Sequence, residues 1–226
     1  MAAGEGSRLR PVTLTTPKPL IKVNGTRMID TSIRALKNNG IHEIYIVCGY
    51  KKELFMDAFK DDPEITLIEN PHYLEGNNVT SLYAAKDHLP GSFVLEGDLI
   101  IYNDEILSPE IEKSGYCANW EHETSEWALS VSEGRIQSCE TMGGTDTYRL
   151  WGVSMWTEED GKRLAELIRV QFEELKEWNV YWDELALLNY KDSFDLGIRV
   201  IDKNDIIEID SFRELVEADP SYENFK

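Results

Sequence analysis

The residues with the most chemistry in their spacing open the chain: Met1-Ala-Ala-Gly-Glu-Gly-Ser-Arg-Leu-Arg-Pro11, followed by Pro17-Lys18-Pro19. Gly4 and Gly6 remove side chains where a backbone must come close to an anion, successive N–H groups there can form an anion-binding nest, and Arg8 and Lys18 add positive charge. The layout predicts a grip on a triphosphate. It is neither of the common phosphate loops, since a dinucleotide fingerprint would need a glycine at Leu9 and a P-loop would need Gly-Lys-Ser/Thr after four intervening residues. A lone Gly-x-Gly reads equally as a plain turn with solvated basic neighbours; the whole string carries the reading.

Two further constellations stand out. Asp98 follows the apolar run Phe93-Val-Leu95 in a segment, 93–98, predicted as a strand. A carboxylate at the carboxyl end of a strand is directed into the ligand crevice, where it can hold a hard, oxygen-seeking Mg²⁺ against phosphate oxygens. By position alone Asp98 is also an ordinary turn or helix cap. The second constellation is aromatic: all six tryptophans, Trp120, Trp127, Trp151, Trp156, Trp178 and Trp182, lie between residues 120 and 182. A quaternary ammonium cannot donate a hydrogen bond and is best held by ring faces beside a carboxylate. Glu126-Trp127 and Tyr181-Trp182-Asp183-Glu184 supply both ingredients, although most of the tryptophans, Trp156 above all, read as core packing.

The elements that must position these groups alternate in the first half. Ile29, Ile33 and Leu36 recur at helical spacing until Asn38-Asn39-Gly40 stops the helix, and Ile44-Tyr-Ile-Val-Cys48 follows as a buried strand. A helix over 51–60, a strand over 65–68, a helix over 79–89 and the strand over 93–98 continue a βαβ rhythm, which predicts a parallel sheet covered by helices. From about 115 the texture changes to short strands at 116–121, 127–132, 135–140 and 150–156, a long helix over 158–177 and a last helix at 211–218. The fold class expected is α/β, a Rossmann-like mixed, mostly parallel sheet flanked by helices with a smaller antiparallel lobe. The chain is read as a single domain over 1–226, with a nucleotide-binding half at 1–114 and an acceptor-binding part at 115–226.

Composition excludes several classes. With 226 residues, 42% of them hydrophobic, the chain can pack a sizeable core. No run approaches the ~18 apolar residues of a membrane span. The formal charge of −19 repels nucleic acid and anionic membranes, so an anionic ligand must be gripped locally. Cys48, Cys117 and Cys139 are odd in number and widely spaced, which argues against a disulfide framework or zinc site and predicts a cytoplasmic setting.

The opening string Gly4-Glu5-Gly6-Ser7-Arg8-Leu9-Arg10-Pro11 with Pro17-Lys18 resembles the signature of the sugar-phosphate nucleotidyltransferase superfamily. The resemblance narrows to the bacterial phosphocholine cytidylyltransferases through Glu126-Trp127, the Gly152-Val-Ser-Met-Trp156 strand and Tyr181-Trp182-Asp183, and it runs nearly the full length. It implies that Ala2, Ala3, Gly4, Gly6, Ser7, Arg8 and Lys18 bind CTP, that Lys18 reaches the α-phosphate, and that Asn78 and Ser81 lie in a segment facing the nucleobase. Asn77-Asn78 is equally helix-cap chemistry. It further implies Mg²⁺ held by Asp98 and, from Ile209-Asp210-Ser211, by Asp210, which could instead be an N-cap. Trp127, Tyr181, Trp182, Asp183 and Glu126 are then expected to surround choline. In relatives of this kind an apolar strand precedes the Ala-Ala-Gly, so the first central strand is expected to be truncated here. The function implied is transfer of CMP from CTP to phosphocholine, with Lys18, Arg8, Asp98 and Asp210 at the reaction centre and association with or fusion to a choline kinase conceivable. Another phosphorylated acceptor, such as phosphoethanolamine or a sugar 1-phosphate, and a non-catalytic nucleotide-binding domain are the rival readings.

Overall fold

A computed structural model describes residues 1–225. It has a mixed α/β fold and resolves into two compact units woven from separate stretches of chain: Met1–Glu75, Glu96–Pro109 and the segment from Asn204 onward form the first, and Gly76–Leu95 with Glu110–Lys203 the second. The units therefore do not divide at 114/115. Each takes a segment from the other's side of that boundary.

In the first unit the strands Ile44–Cys48 and Ile65–Glu69 run parallel. Ala2 forms a parallel bridge with Cys48, its N–H donating to the Val47 carbonyl at 2.7 Å, so the opening residues run along the strand that leads to Gly49. The helix Met28–Asn38 buries Met28, Ile29, Ile33 and Leu36, the predicted stripe, and ends where Gly40 takes a φ of +76° that glycine adopts without a Cβ penalty. Thr31 ties this helix inward: its hydroxyl donates to the Met28 carbonyl at 2.8 Å and accepts from the Ile101 N–H at 3.0 Å. Leu99–Ile101 pairs antiparallel with Ile206–Glu208. Leu9, Val12, Ile21, Val23, Met28, Ile100, Ile209 and Leu215 close one core, each large aliphatic chain contributing ~1.5–3 kcal/mol on burial. Leu9 in that core fixes the Gly-rich loop from below.

The second unit is built on six strands in the order Phe93–Leu95, Gly144–Met155, Gly115–Thr124, Gly197–Val200, Arg135–Glu140, Ala128–Ser132, and the last also pairs with Gly144–Met155. All these pairings are antiparallel except Gly197–Val200 beside Gly115–Thr124. The helix Glu158–Arg169 starts at Thr157, whose hydroxyl accepts from the Asp160 N–H, and passes into a π-helical stretch, Val170–Leu175, stopped by left-handed Lys176. The predicted 158–177 helix is thus an α-helix only to Arg169. The helix expected over 79–89 is likewise shorter, Val79–Ala84 followed by a 3₁₀ turn.

One correction bears on the site. The strand expected to run from 93 to Asp98 is two strands in different units: Phe93–Leu95 joins the six-stranded sheet and Leu99–Ile101 the first unit. Asp98 sits in the turn between them. An apolar run broken by Glu96-Gly-Asp98 matches both one strand with an acidic end and two short strands with an acidic turn, and periodicity cannot tell them apart. Among the described residues no helix is long and apolar enough to cross a membrane.

Gly161, inside the Glu158–Arg169 helix, provides a check on packing. A Cβ there would lie 2.5 Å from the Leu89 carbonyl oxygen and 2.6 Å from the Pro90 Cα. Glycine to alanine inside a helix ordinarily gains up to ~1 kcal/mol, but overpacking against backbone costs about 1–3 kcal/mol. Gly161→Ala is expected to lower Tm by several degrees, whereas a raised Tm in a thermal melt would show that the approach to Leu89 is loose.

Candidate active site

The Gly-rich loop is held by its own backbone. Gly6 has a φ of +59°, and a Cβ on it would press on the Lys18 Cβ at 3.0 Å and the Thr13 Cγ2 at 3.1 Å. Its carbonyl accepts from the Leu9 N–H at 2.9 Å and the Thr13 hydroxyl at 3.0 Å. Gly4 faces open space, and Ser7 and Arg8 are exposed, so this stretch of the loop lies at the surface. Ala2 and Ala3 are buried, and the Ala3 carbonyl accepts from the Tyr50 N–H at 3.0 Å.

Lys18 is the centre of the first unit's polar site. Its side chain is only 9% exposed, and its Nζ donates to Asp98 Oδ2 at 2.5 Å and Asp210 Oδ1 at 2.8 Å. Burial pulls the pKa of the ammonium down, and the two carboxylates outweigh it, so the group is held above its ordinary value and stays charged. Arg8 Nη2 adds a 2.7 Å bond to the same Asp210 oxygen from a side chain 69% exposed. Three of the four residues expected at the reaction centre thus meet at one ammonium, and Arg8 joins them through Asp210.

Asp210 does not cap the final helix. Ser211 does, with its hydroxyl accepting from the Glu214 N–H while Glu214 Oε2 accepts from the Ser211 and Asp210 N–H groups at 2.8 and 2.7 Å. The capping box leaves the Asp210 carboxylate to Lys18 and Arg8.

Two acids went unnoticed in the sequence. One carboxylate oxygen each of Glu96, Asp98 and Glu208 lies within 4.8 Å of the others. Burial, then Asp98, Asp210 and Glu96, push Glu208 up to about 8, with Lys18 opposing. The available signal was a repeated acid-x-acid pattern, Glu96-Gly-Asp98 and Glu208-Ile-Asp210. Gly97 between the first pair is required by close approach: a Cβ there would lie 2.6 Å from the Met1 carbonyl oxygen and 3.0 Å from the Pro19 Cγ. The donor set is all oxygen, and Asp98 Oδ1 is buried without a hydrogen-bond partner. Both features fit a hard divalent cation.

The second unit holds the aromatic constellation. Trp182, 3% exposed, stacks on Tyr116 with centroids 6.0 Å apart and planes 22° apart, and meets Trp156 edge-on at 6.0 Å. Its ring is therefore largely covered by protein. Trp127, half-buried, meets exposed Tyr181 edge-on at 5.9 Å, and Glu126 is exposed. Trp151 is buried with its indole N–H on Asn119 Oδ1 at 2.7 Å and the Arg149 guanidinium over its ring at 4.0 Å. Asp183 follows Trp182, and burial pushes its carboxyl up to about 7, with Tyr116 pulling it down and Glu184 pushing it up. The Tyr116 hydroxyl faces this carboxylate. Neither that hydroxyl, on a residue 1% exposed, nor the Trp182 indole N–H has a hydrogen-bond partner of good geometry.

Asn78 and Ser81 also belong to this unit. Asn78 stands at the start of the Val79–Ala84 helix but makes no side-chain cap. Its Oδ1 accepts instead from the Trp182 N–H at 3.0 Å. Ser81 is buried in the first turn.

The model of the Nucleotidyl transferase family matches residues 1–114. The chain is 39% identical over 226 aligned residues, 98% of this chain and 91% of the relative, to a 2-aminoethylphosphonate cytidylyltransferase of Lancefieldella rimae. It is 31% identical to a choline-phosphate cytidylyltransferase of Streptococcus pneumoniae, covering 95% of this chain and 93% of that one. The solved structure of the CTP:phosphocholine cytidylyltransferase from Streptococcus pneumoniae superposes with a TM-score of 0.89 at 29% identity, over 97% of this chain and 96% of that one. An inositol-1-phosphate CTP transferase from T. maritima shares the fold, with a TM-score of 0.73 at 18% identity over 96% and 93% of the two chains. With a phosphate-loop string anchored on a buried lysine, a match over the first half and relatives similar along nearly the whole length, this chain belongs to the nucleotidyl transferase family of enzymes.

Proposed function

We propose that this enzyme transfers CMP from CTP to the phosphonate or phosphate oxygen of a short acceptor bearing a primary ammonium, releasing pyrophosphate. Cytidylyl transfer draws on the activities for which the two relatives above are named. The acceptor rests on one observation, the Asp183 carboxylate facing a buried Tyr116 hydroxyl with which it makes no hydrogen bond of good geometry. An ammonium with three N–H donors matches two oxygen acceptors and supplies the charge that a dehydrated carboxylate lacks. A trimethylammonium has no donor to offer them and needs ring faces, and the Trp182 ring is largely covered. The second reading, phosphocholine, is favoured by the Trp127–Tyr181 edge contact, which leaves Tyr181 exposed as one wall of a cage with Glu126.

In the reaction an acceptor oxygen attacks the α-phosphorus, the bond between that phosphorus and the bridging oxygen to the β-phosphate breaks, and pyrophosphate leaves with the electron pair. No protein base is needed, because a phosphomonoester with its second pKa near ~6 is mostly dianionic at neutral pH. Positioning and charge neutralisation are what remain for the protein. Backbone N–H groups of the Gly4–Arg8 loop and the Arg8 guanidinium hold the β- and γ-phosphates, and the Lys18 ammonium stabilises the charge building on the α-phosphate. Asp98, with Asp210, Glu208 and Glu96 as the neighbouring oxygen donors, would hold Mg²⁺, which supplies further neutralisation of the phosphates when bound.

A pyrophosphate-release assay over four nucleoside triphosphates and three acceptors tests the reading. CTP should be preferred, and 2-aminoethylphosphonate and phosphoethanolamine should exceed phosphocholine about tenfold or more in kcat/KM; phosphocholine as the best acceptor would move the assignment to the aromatic cage. Lys18→Ala should lower turnover about a hundredfold or more, the cost of losing one charged transition-state contact, and unchanged turnover in a folded variant would remove Lys18 from the reaction centre. Asp183 adds a pH dependence. Its carboxyl titrates near 3.8 when unfolded and about 7 when folded, so the native state binds more protons between those values and stability must fall as pH rises through that window. Asp183→Asn should flatten the slope of unfolding free energy from about pH 4 to 7, measured by denaturant titration, and an unaltered slope would place Asp183 in water.

A further inference from the structure

We infer that Asn78 is a positioning residue for the acceptor: its side-chain oxygen holds the start of the short helix that carries Trp182 and Asp183. The inference deepens the acceptor reading above and rests on it for its kinetic readout. Asn78 stands where a helix cap would be, at the head of Val79–Ala84, yet its side chain caps nothing there. The oxygen reaches across 104 positions of sequence to accept from the Trp182 N–H at 3.0 Å, and Trp182 is the first residue of the Trp182–Glu184 helical turn. A first-turn N–H has no partner within its own helix, so Asn78 supplies from another element what a local cap would supply.

The surroundings make this attachment rigid. Asn78 is itself fixed by its neighbour, the Asn77 Oδ1 accepting from the Asn78 N–H at 2.8 Å. The Asn77 N–H donates to the Trp178 carbonyl at 2.7 Å. Gly76 lets the two segments touch, because a Cβ there would lie 2.3 Å from that same carbonyl oxygen. Trp178 is locked in a column of rings, its centroid 4.7 Å from that of Phe172 at 7° between planes, and that of Phe172 3.8 Å from Tyr83 at 9°. Tyr83 lies on the helix that Asn78 begins. The 178–182 segment is thus held at both ends by residues 76–83.

This arrangement splits the two ends of the Asn78 amide. With one lone pair of the oxygen committed to Trp182, the amide N–H groups are the part of the side chain left uncommitted by this bond. A residue that would otherwise be read as a base contact also sets the distance and angle at which Asp183 meets the acceptor. Loss of the oxygen should loosen the Trp182–Glu184 turn, weaken the acceptor, and leave the fold intact.

Three proteins decide the matter: the parent, Asn78→Ala, and Asn78→Asp, which keeps an oxygen for the Trp182 N–H. With CTP saturating, Asn78→Ala should raise the acceptor KM about three- to tenfold, the worth of one hydrogen bond, and Asn78→Asp should return it to within about twofold of the parent. All three should melt within a few degrees of one another. An unchanged acceptor KM in Asn78→Ala, with only the KM for CTP altered, or an Asn78→Asp variant no better than Asn78→Ala, would overturn the inference. Hydrogen exchange of the ligand-free proteins gives an answer independent of which acceptor is used. The peptide spanning residues 178–185 should exchange faster in Asn78→Ala and at the parent rate in Asn78→Asp. Equal exchange in all three would overturn the positioning role, whereas differential exchange in a parent inactive with every aminoalkyl acceptor would preserve it and sink the acceptor reading alone.

Discussion

A single buried ammonium organises the first unit. Carboxylates from a turn at Asp98 and from just ahead of the last helix at Asp210 come together at Lys18, and two more, Glu96 and Glu208, stand next to Asp98. Carboxylates this near one another repel in a partly dehydrated setting; Lys18 offsets that between Asp98 and Asp210, and Glu208 answers it by holding its proton up to about pH 8. Around Lys18 the packing is tight: Gly97, beside Asp98, has no room for a side chain against Met1 and Pro19, and Leu9 is fully buried in the core.

In the proposed reaction a bound metal–nucleotide would bring a second source of positive charge to the same carboxylates and free the lysine for a phosphate. In the second unit the Tyr116 hydroxyl is buried against the Asp183 carboxyl without a hydrogen bond of good geometry. A buried polar group in that condition calls for a better partner, whereas in the first unit the chain itself supplies the lysine that two carboxylates share.

Much of this was legible in the residues. The phosphate-loop string, the stripe and stop of the first helix, the four antiparallel segments after 115, and the pair Asp98 and Asp210 could all be read before the structure, because each depends on local chemistry or on a pattern of the family. What could not be read depends on contacts distant in sequence. Whether Asp210 caps a helix is decided by Ser211 and Glu214 outcompeting it, and both readings have the same residues in the same order. Whether Asn78 caps a helix is decided by Trp182, far along the chain. The aromatic doublet Tyr181-Trp182 reads in sequence as two walls of one cage, but neighbours in sequence diverge in direction, and Trp182 joins Tyr116 and Trp156 while Tyr181 stays out. Glu96 and Glu208 were visible as letters; their proximity was not.

The weave of the chain has a consequence for its birth. The path passes from one unit to the other four times, and the carboxylate of Asp210 arrives only in the final stretch, after nearly the whole of the second unit has been synthesised. A ribosome that has released residues 1–114, the span the family model matches, has delivered Lys18 and Asp98 but neither Asp210 nor Glu208, and has left the strand Leu99–Ile101 without its partner Ile206–Glu208. A chain at that point carries Leu99–Ile101 as an open sheet edge and a Lys18 with one of its two carboxylate partners, and both are completed only when residues 206–210 emerge.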